Sequence, residues 1–201
     1  MAESREIVRR GYDSCGPAYA ASRNRFQTER HLENLVSRLT GGSDILDLGC
    51  GSGQPVDAFL MGRGFRVTGI DISEGQIRLA QAALPNGTFI NADMSKVAFR
   101  PGSFDAVVSF YAIFHVPRAE HAALLHRAST FLRAGGLFLI TMGTTDCEGT
   151  EDFHGARMFW SHYGREKNLR LIREAGFTVI SEEIEATGDE EHLVVLAYRS
   201  R

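Results

Sequence analysis

A chain of 201 residues, 43% hydrophobic and 23% charged, suits one soluble domain with a real core. Its 22 basic and 25 acidic residues sum to −3 and are spread along the length, so no basic block points to a nucleic-acid partner. No run of about 18 apolar residues predicts a membrane span. The opening residues lack a secretory core, and Cys15, Cys50 and Cys147 match neither a disulfide framework nor a zinc spacing, so a cytoplasmic location is expected.

Taken in order, the first forty residues read as helical, with Leu32, Leu35, Val36 and Leu39 on one face. Asp44 to Leu48 is a short buried strand that runs into a glycine-rich turn. Pro55 opens a helix towards Met61, stopped by Gly62 and Gly64. Phe65 to Ile70 is the second strand, and Ser73 with Gln76 makes a capping-box start for the next helix. Thr88 to Ile90 and Phe104 to Phe110 are the third and fourth strands. A helix from Ala119 to Arg133 stops at Gly135-Gly136, and Gly136 to Met142 is the fifth strand. A polar stretch from Gly143 to Gly155 follows, then a helix from Arg165 to Ala175. Phe177 to Ile184 and His192 to Tyr198 close the chain as a hairpin, which leaves the last strand antiparallel. Strands alternating with helices predict an α/β three-layer sandwich around a mostly parallel sheet.

The strongest local signal is Asp47-Leu48-Gly49-Cys50-Gly51-Ser52-Gly53 between a strand and a helix. Glycines there allow a sharp turn and close approach of backbone to a ligand. Asp71, at the end of the second strand, can accept both hydroxyls of a ribose. Together they argue for a nucleoside-containing cofactor. The spacing G-x-G-x-G departs from the dinucleotide pattern, with Gln54 where that pattern wants glycine. Asp47 would repel a pyrophosphate but suits the ammonium of an amino acid moiety.

These segments resemble the class I, Rossmann-like methyltransferases. Asp47 to Gly53 is similar to their first motif, Asp71-Ile72-Ser73 to the second, and Asn91-Ala92-Asp93-Met94 to the third. Phe104 to Val108 and Leu132 to Gly136 resemble their fourth strand and the turn before the fifth, so the likeness runs from Ile45 to Met142. It implies a seven-stranded sheet and S-adenosyl-L-methionine as methyl donor. Gly49, Cys50, Gly51 and Gly53 would lie against the cofactor, Asp47 near its amino acid end, and Asp71 and Ile72 at the ribose. Asp93 would accept from the adenine amine with Met94 on the ring, and Phe110 would complete the site. Tyr12 and Tyr19, followed by Arg23, resemble the approach segment of small-molecule members and would cover the cofactor. One domain over 1–201 is expected, with a helical cap at 1–42, a cofactor-binding core at 43–142 and an acceptor side at 143–201.

The acceptor is expected beyond the fourth and fifth strands. Ser109-Phe110-Tyr111-Ala112 carries neither an N/D-P-P-Y/F motif nor a Pro-Cys pair nor a metal-binding carboxylate, which leaves metal-independent transfer to a small molecule. His115 and His162 are the candidate bases, with His115 also read as a cofactor-side or structural residue. Tyr111, Trp160, Tyr163 and His192 are candidate acceptor contacts, Trp160 and Tyr163 being equally readable as packing at a helix start. His31, His121 and His126 read as surface residues and His154 as part of a polar loop. The residues leave open a protein or RNA methyltransferase and a non-catalytic cofactor-binding protein, while the glycine spacing and Asp47 count against an NAD-binding oxidoreductase. An antiparallel sheet edge or the N-terminal helix would support a homodimer.

Overall fold

A computed structural model describes residues 2–22, 28–187 and 190–200, with side chains described for 3–15, 28–186 and 190–200. The strands are β1 (Asp44–Leu48), β2 (Arg66–Asp71), β3 (Thr88–Asn91), β4 (Phe104–Ser109), β5 (Leu132–Gly143), β6 (Cys147–Phe153), β7 (Ala156–His162), β8 (Phe177–Thr187) and β9 (Glu190–Arg199). The helices are α1 (Ala2–Ser22), α2 (Thr28–Val36), α3 (Val56–Gly62), α4 (Glu74–Ala83), α5 (His121–Phe131) and α6 (Arg165–Glu174).

Successive residues in the central strands point to opposite faces, and both faces are apolar, so the sheet must be covered twice. Ile45, Val108, Leu139 and Val194 pack under Leu32 and Leu35 of α2 and Val56 and Leu60 of α3. Leu46, Val107, Phe138 and Val195, one residue out of phase, pack under Leu124 and Leu125 of α5 and Leu169 and Ile172 of α6. The result is a seven-stranded sheet in the order β3-β2-β1-β4-β5-β9-β8 with helices on both faces. β1 to β5 pair in parallel, and β9 inserts antiparallel between β5 and β8, as the closing hairpin predicts.

Several boundaries differ from the sequence reading. α5 ends at Phe131, and β5 starts at Leu132, before the glycine pair. Ser73 does cap α4, its hydroxyl accepting from the Gln76 amide at 3.1 Å, but the return half of the box is absent. Asp71 takes the Ser73 N–H instead, at 2.8 Å.

The larger correction concerns 143–162. The polar stretch is strand β6, and Trp160 lies on strand β7 rather than at a helix start, the two forming a separate two-stranded sheet. Phe153 pairs with Ala156 across a two-residue turn, and His154 and Gly155 there take φ of 53° and 77°, the positive pair that such tight hairpins need. β6 carries little apolar alternation of its own. Ala156 and Met158 of β7 are buried against Val8, Tyr12 and Cys15 of α1, so tertiary packing makes this hairpin. Gly11 allows the contact, since a Cβ there would stand 2.8 Å from Met158 Cε. α1 and the hairpin therefore close over the site edge of the main sheet. Among the described residues no helix is long and apolar enough to cross a membrane.

Candidate functional site

β1 and β4 end side by side, tied by the Ser109 hydroxyl, which donates to the Leu48 carbonyl at 2.7 Å. The chain leaves β1 through the glycine turn, where Gly49 and Cys50 both donate to the Ile70 carbonyl, at 2.8 and 2.9 Å. Gly49, Gly51 and Gly53 take φ of 86°, 57° and 76°, a region that side chains rarely adopt. A Cβ on Gly49 would lie 2.3 Å from that of Ala112. The turn thus brings bare backbone against the crevice between the strand ends, where ligands of such sheets bind.

Two adjoining chambers occupy the crevice, of about 430 and 370 Å³, and share Val8, Asp71, Ile72, Met94 and His115 as lining. The larger is completed by Tyr12, Gly49, Gly51, Gln76, Tyr111 and Ala112. Asp71 is pinned at the junction. Its Oδ2 accepts from the Gly51 N–H at 3.0 Å and its Oδ1 from the Ser73 N–H. A carboxylate held by backbone donors presents its remaining lone pairs in a fixed direction. Asp47 is buried behind the turn, 2% exposed. Gln76, which the sequence reading used only as a cap partner, borders the larger chamber, and among the described residues both atoms of its buried amide lack a hydrogen-bond partner. An amide desolvated without partners costs about 1–3 kcal/mol, so its position at a cavity wall points to a ligand.

Asp93 lines the smaller chamber but is already engaged. It accepts from the Ser95 N–H and hydroxyl at 2.9 and 2.7 Å and pairs with Arg5 of α1 at 2.6 Å. Burial pushes its carboxyl up, but those bonds and the Arg5 charge outweigh it and hold the group below the usual range. Arg5 also pairs with Glu120, so α1 is latched across this chamber.

His115 sits beneath α1. Its Nδ1 lies 2.8 Å from the Phe159 carbonyl, which can only accept, so Nδ1 carries the hydrogen and Nε2 accepts from the Tyr12 hydroxyl at 2.7 Å. Burial pushes the ring's pKa down to about 4, against a smaller opposing effect of that carbonyl. It is therefore neutral at physiological pH. Trp160 lies behind it, its ring tilted by 45° with ring centres 4.5 Å apart.

The remaining expected residues divide. Ile72, Met94, Tyr12 and Tyr111 line the chambers. Cys50 turns its thiol into an apolar cluster with Ile77, Ala80 and Phe89, and Phe110 is buried in the core under α2 and α3. Tyr163 packs beside His121 and under Arg118, away from the chambers. His162 donates from Nδ1 to the Thr145 carbonyl at 2.6 Å, its ring 6.4 Å from Phe114. His192 meets Tyr111 edge to face at 4.9 Å. Tyr19 and Arg23 fall outside the residues with described side chains. His31 and His121, read as surface residues, are buried, 6% and 0% exposed. His31 is held between Glu183 and Glu185 of β8, and His121 by the Val116 carbonyl at 2.9 Å.

Comparison with known proteins agrees with this geometry. The family described as a methyltransferase domain matches residues 45–136. (+)-O-Methylkolavelool synthase of Herpetosiphon aurantiacus is 31% identical over 124 residues, 57% of this chain and 43% of that protein. A sterol 24-C-methyltransferase of Gibberella zeae is 30% identical over 198 residues, 87% of this chain and 50% of that one. The chain thus spans about half the length of these curated relatives. Among solved structures, Burkholderia thailandensis 1,6-didemethyltoxoflavin-N1-methyltransferase superposes with a TM-score of 0.79 at 21% identity, over 100% of this chain and 90% of that one, and shares the fold.

Proposed function

We propose, for a chain that carries a class I S-adenosylmethionine-dependent methyltransferase domain, that it transfers a methyl group to an O, N or S atom of a small molecule. The observation that carries this reading is the pinned Asp71 at the junction of two chambers, between bare glycine backbone and the Met94 and Ile72 side chains. Asp71 and the partnerless Gln76 amide suit a ribose, Met94 and Ile72 a flat base, and Asp47 an ammonium behind the turn. S-adenosylmethionine, when bound, supplies a methyl carbon made electrophilic by its sulfonium.

The chain's own residues then orient the acceptor and exclude water. α1 and the β6–β7 hairpin roof the crevice, which favours a small acceptor over a protein or RNA. His115 is given a positioning role, holding the Tyr12 hydroxyl over the larger chamber, because both its nitrogens are engaged and it stays neutral. His162 and Trp160 stand at the acceptor side of the roof. The relatives' names include O-, N- and C-methyl products, so likeness alone does not choose the acceptor atom.

The test is a screen of phenols, thiols, amines and carboxylates for S-adenosylhomocysteine release, with and without a chelator. Release with at least one class, undiminished by the chelator, is expected. Tight cofactor binding with no release from any class would favour a non-catalytic cofactor-binding protein.

A further inference from the structure

Resting on the methyl-transfer reading, we propose that Tyr111, backed by Glu185 and His31, takes the proton from an acceptor that arrives as an aromatic ring bearing a neutral hydroxyl. Three observations converge on this group. On β8, Glu185 is 4% exposed while its neighbour Ile184 is 49% exposed, the inverse of what burial alone selects. A carboxylate is kept inside only where partners hold it. Those partners form a line: the Tyr111 hydroxyl donates to Glu185 Oε2 at 3.2 Å, and His31 Nε2 lies 3.6 Å from the same oxygen. His31 Nδ1 in turn lies 3.0 Å from Glu183 Oε1, on a side chain 44% exposed. Tyr111 borders the larger chamber, and the step from Glu185 to His31, longer than a hydrogen bond, is the one that must close for a proton to reach exposed Glu183.

Tyr111 also has φ of 55°, a left-handed conformation that bulky residues rarely adopt. Its N–H is fixed by the Thr141 hydroxyl at 2.5 Å, so the fold holds Tyr111 at the border of the chamber despite the strain, with its ring packed in the cluster under α2 and α3. Among the described residues, the charged or titratable groups facing the line include Arg30, which pairs with Glu183 at 3.2 Å, and His192 beside Tyr111, itself influenced by His162. Burial lowers the His31 pKa, and the charges of Glu183 and Glu185 oppose that shift.

An aromatic acceptor fits because Tyr12, Tyr111 and His115 all line the larger chamber. A neutral hydroxyl fits because thiolates and carboxylates arrive ionised and need no base. In the transfer, the acceptor oxygen bonds to the methyl carbon as the carbon–sulfur bond breaks, its electron pair going to sulfur. The acceptor's proton passes to Tyr111 Oη, the Tyr111 proton to Glu185, and one proton leaves through His31 and Glu183.

The experiment compares wild type, Glu185→Gln and Tyr111→Phe in single turnovers on a neutral phenol and on a nitrophenol already ionised at the assay pH. Both variants should slow the neutral phenol by about 10²-fold or more, the range of a positioned base, and the ionised one by less than about threefold. S-Adenosylhomocysteine affinity should hold in Glu185→Gln, since Glu185 lines neither chamber. A second readout needs no turnover: with S-adenosylhomocysteine and phenol bound, the His31 ring resonances should shift in wild type and not in Tyr111→Phe. Equal slowing of both phenols, or His31 resonances that ignore phenol binding, would overturn the relay. Methylation of thiols or amines with no phenol bound would also overturn it, while leaving methyl transfer in place.

Discussion

In the proposed reading Asp71 is the residue on which cofactor recognition turns, and its two oxygens already hold the Gly51 and Ser73 amides. Asp71→Ala should weaken cofactor binding by roughly 1.5–3 kcal/mol, the scale of charge-assisted hydrogen bonds, measured by calorimetry with S-adenosylhomocysteine. An unchanged affinity would mean that another residue holds the ribose. His115 gives a different signal. The unfolded chain protonates this ring as pH falls through about 6.5, whereas the folded ring, with its pKa near 4, stays neutral. Its contribution to stability is therefore full above pH 6.5 and is lost as pH falls towards 4, by on the order of 3 kcal/mol in total. Denaturant titrations of wild type and His115→Gln should diverge in slope across that window; parallel curves would show that the ring is solvated. At this scale the sequence made Asp47, the turn glycines and Asp71 legible, because turn chemistry is local. It hid Glu185, His31 and Gln76. Glu185 reads as one more acid in Glu182-Glu183-Ile184-Glu185, and only the packing of β8 on α2 turns it inward.

α1 decides access to the crevice. It is joined to the core at Arg5–Asp93 and Arg5–Glu120, at Asp13, which accepts from the Ser73 hydroxyl at 2.6 Å, and at Gly11 on Met158. Gly11→Leu sets two effects against each other. Helix propensity favours leucine by about 1 kcal/mol, but overpacking against Met158 and the Arg157 carbonyl costs typically 1–3 kcal/mol. The second should win: hydrogen exchange in α1 should speed up while the β1 and β4 amides keep their protection. Uniform exchange across both would show that α1 is not seated on β7. Elements with clear periodicity, such as β1, α4 and α6, were readable within a residue or two. β6 was not, because Glu148, Glu151 and Asp152 give it a loop's composition and its stability comes from the partner strand.

Across the molecule, the order β3-β2-β1-β4-β5-β9-β8 reverses direction of growth beside β1, and the crevice opens at that switch point. The alternation of strands and helices made this topology legible, including the antiparallel β9, because the two closing strands have no helix between them to cross over. The roof over the crevice was not legible, since it depends on α1 meeting a hairpin about 150 positions away. The central claim is that this crevice is built for the methyl donor and its demethylated product rather than for a dinucleotide. Calorimetry of the whole chain with S-adenosylmethionine, S-adenosylhomocysteine and NAD tests it most directly. Saturable binding of the first two with none of NAD is the result expected from a D-x-G-x-G-x-G turn backed by Asp47. Tight binding of NAD with no response to either adenosyl compound would contradict it.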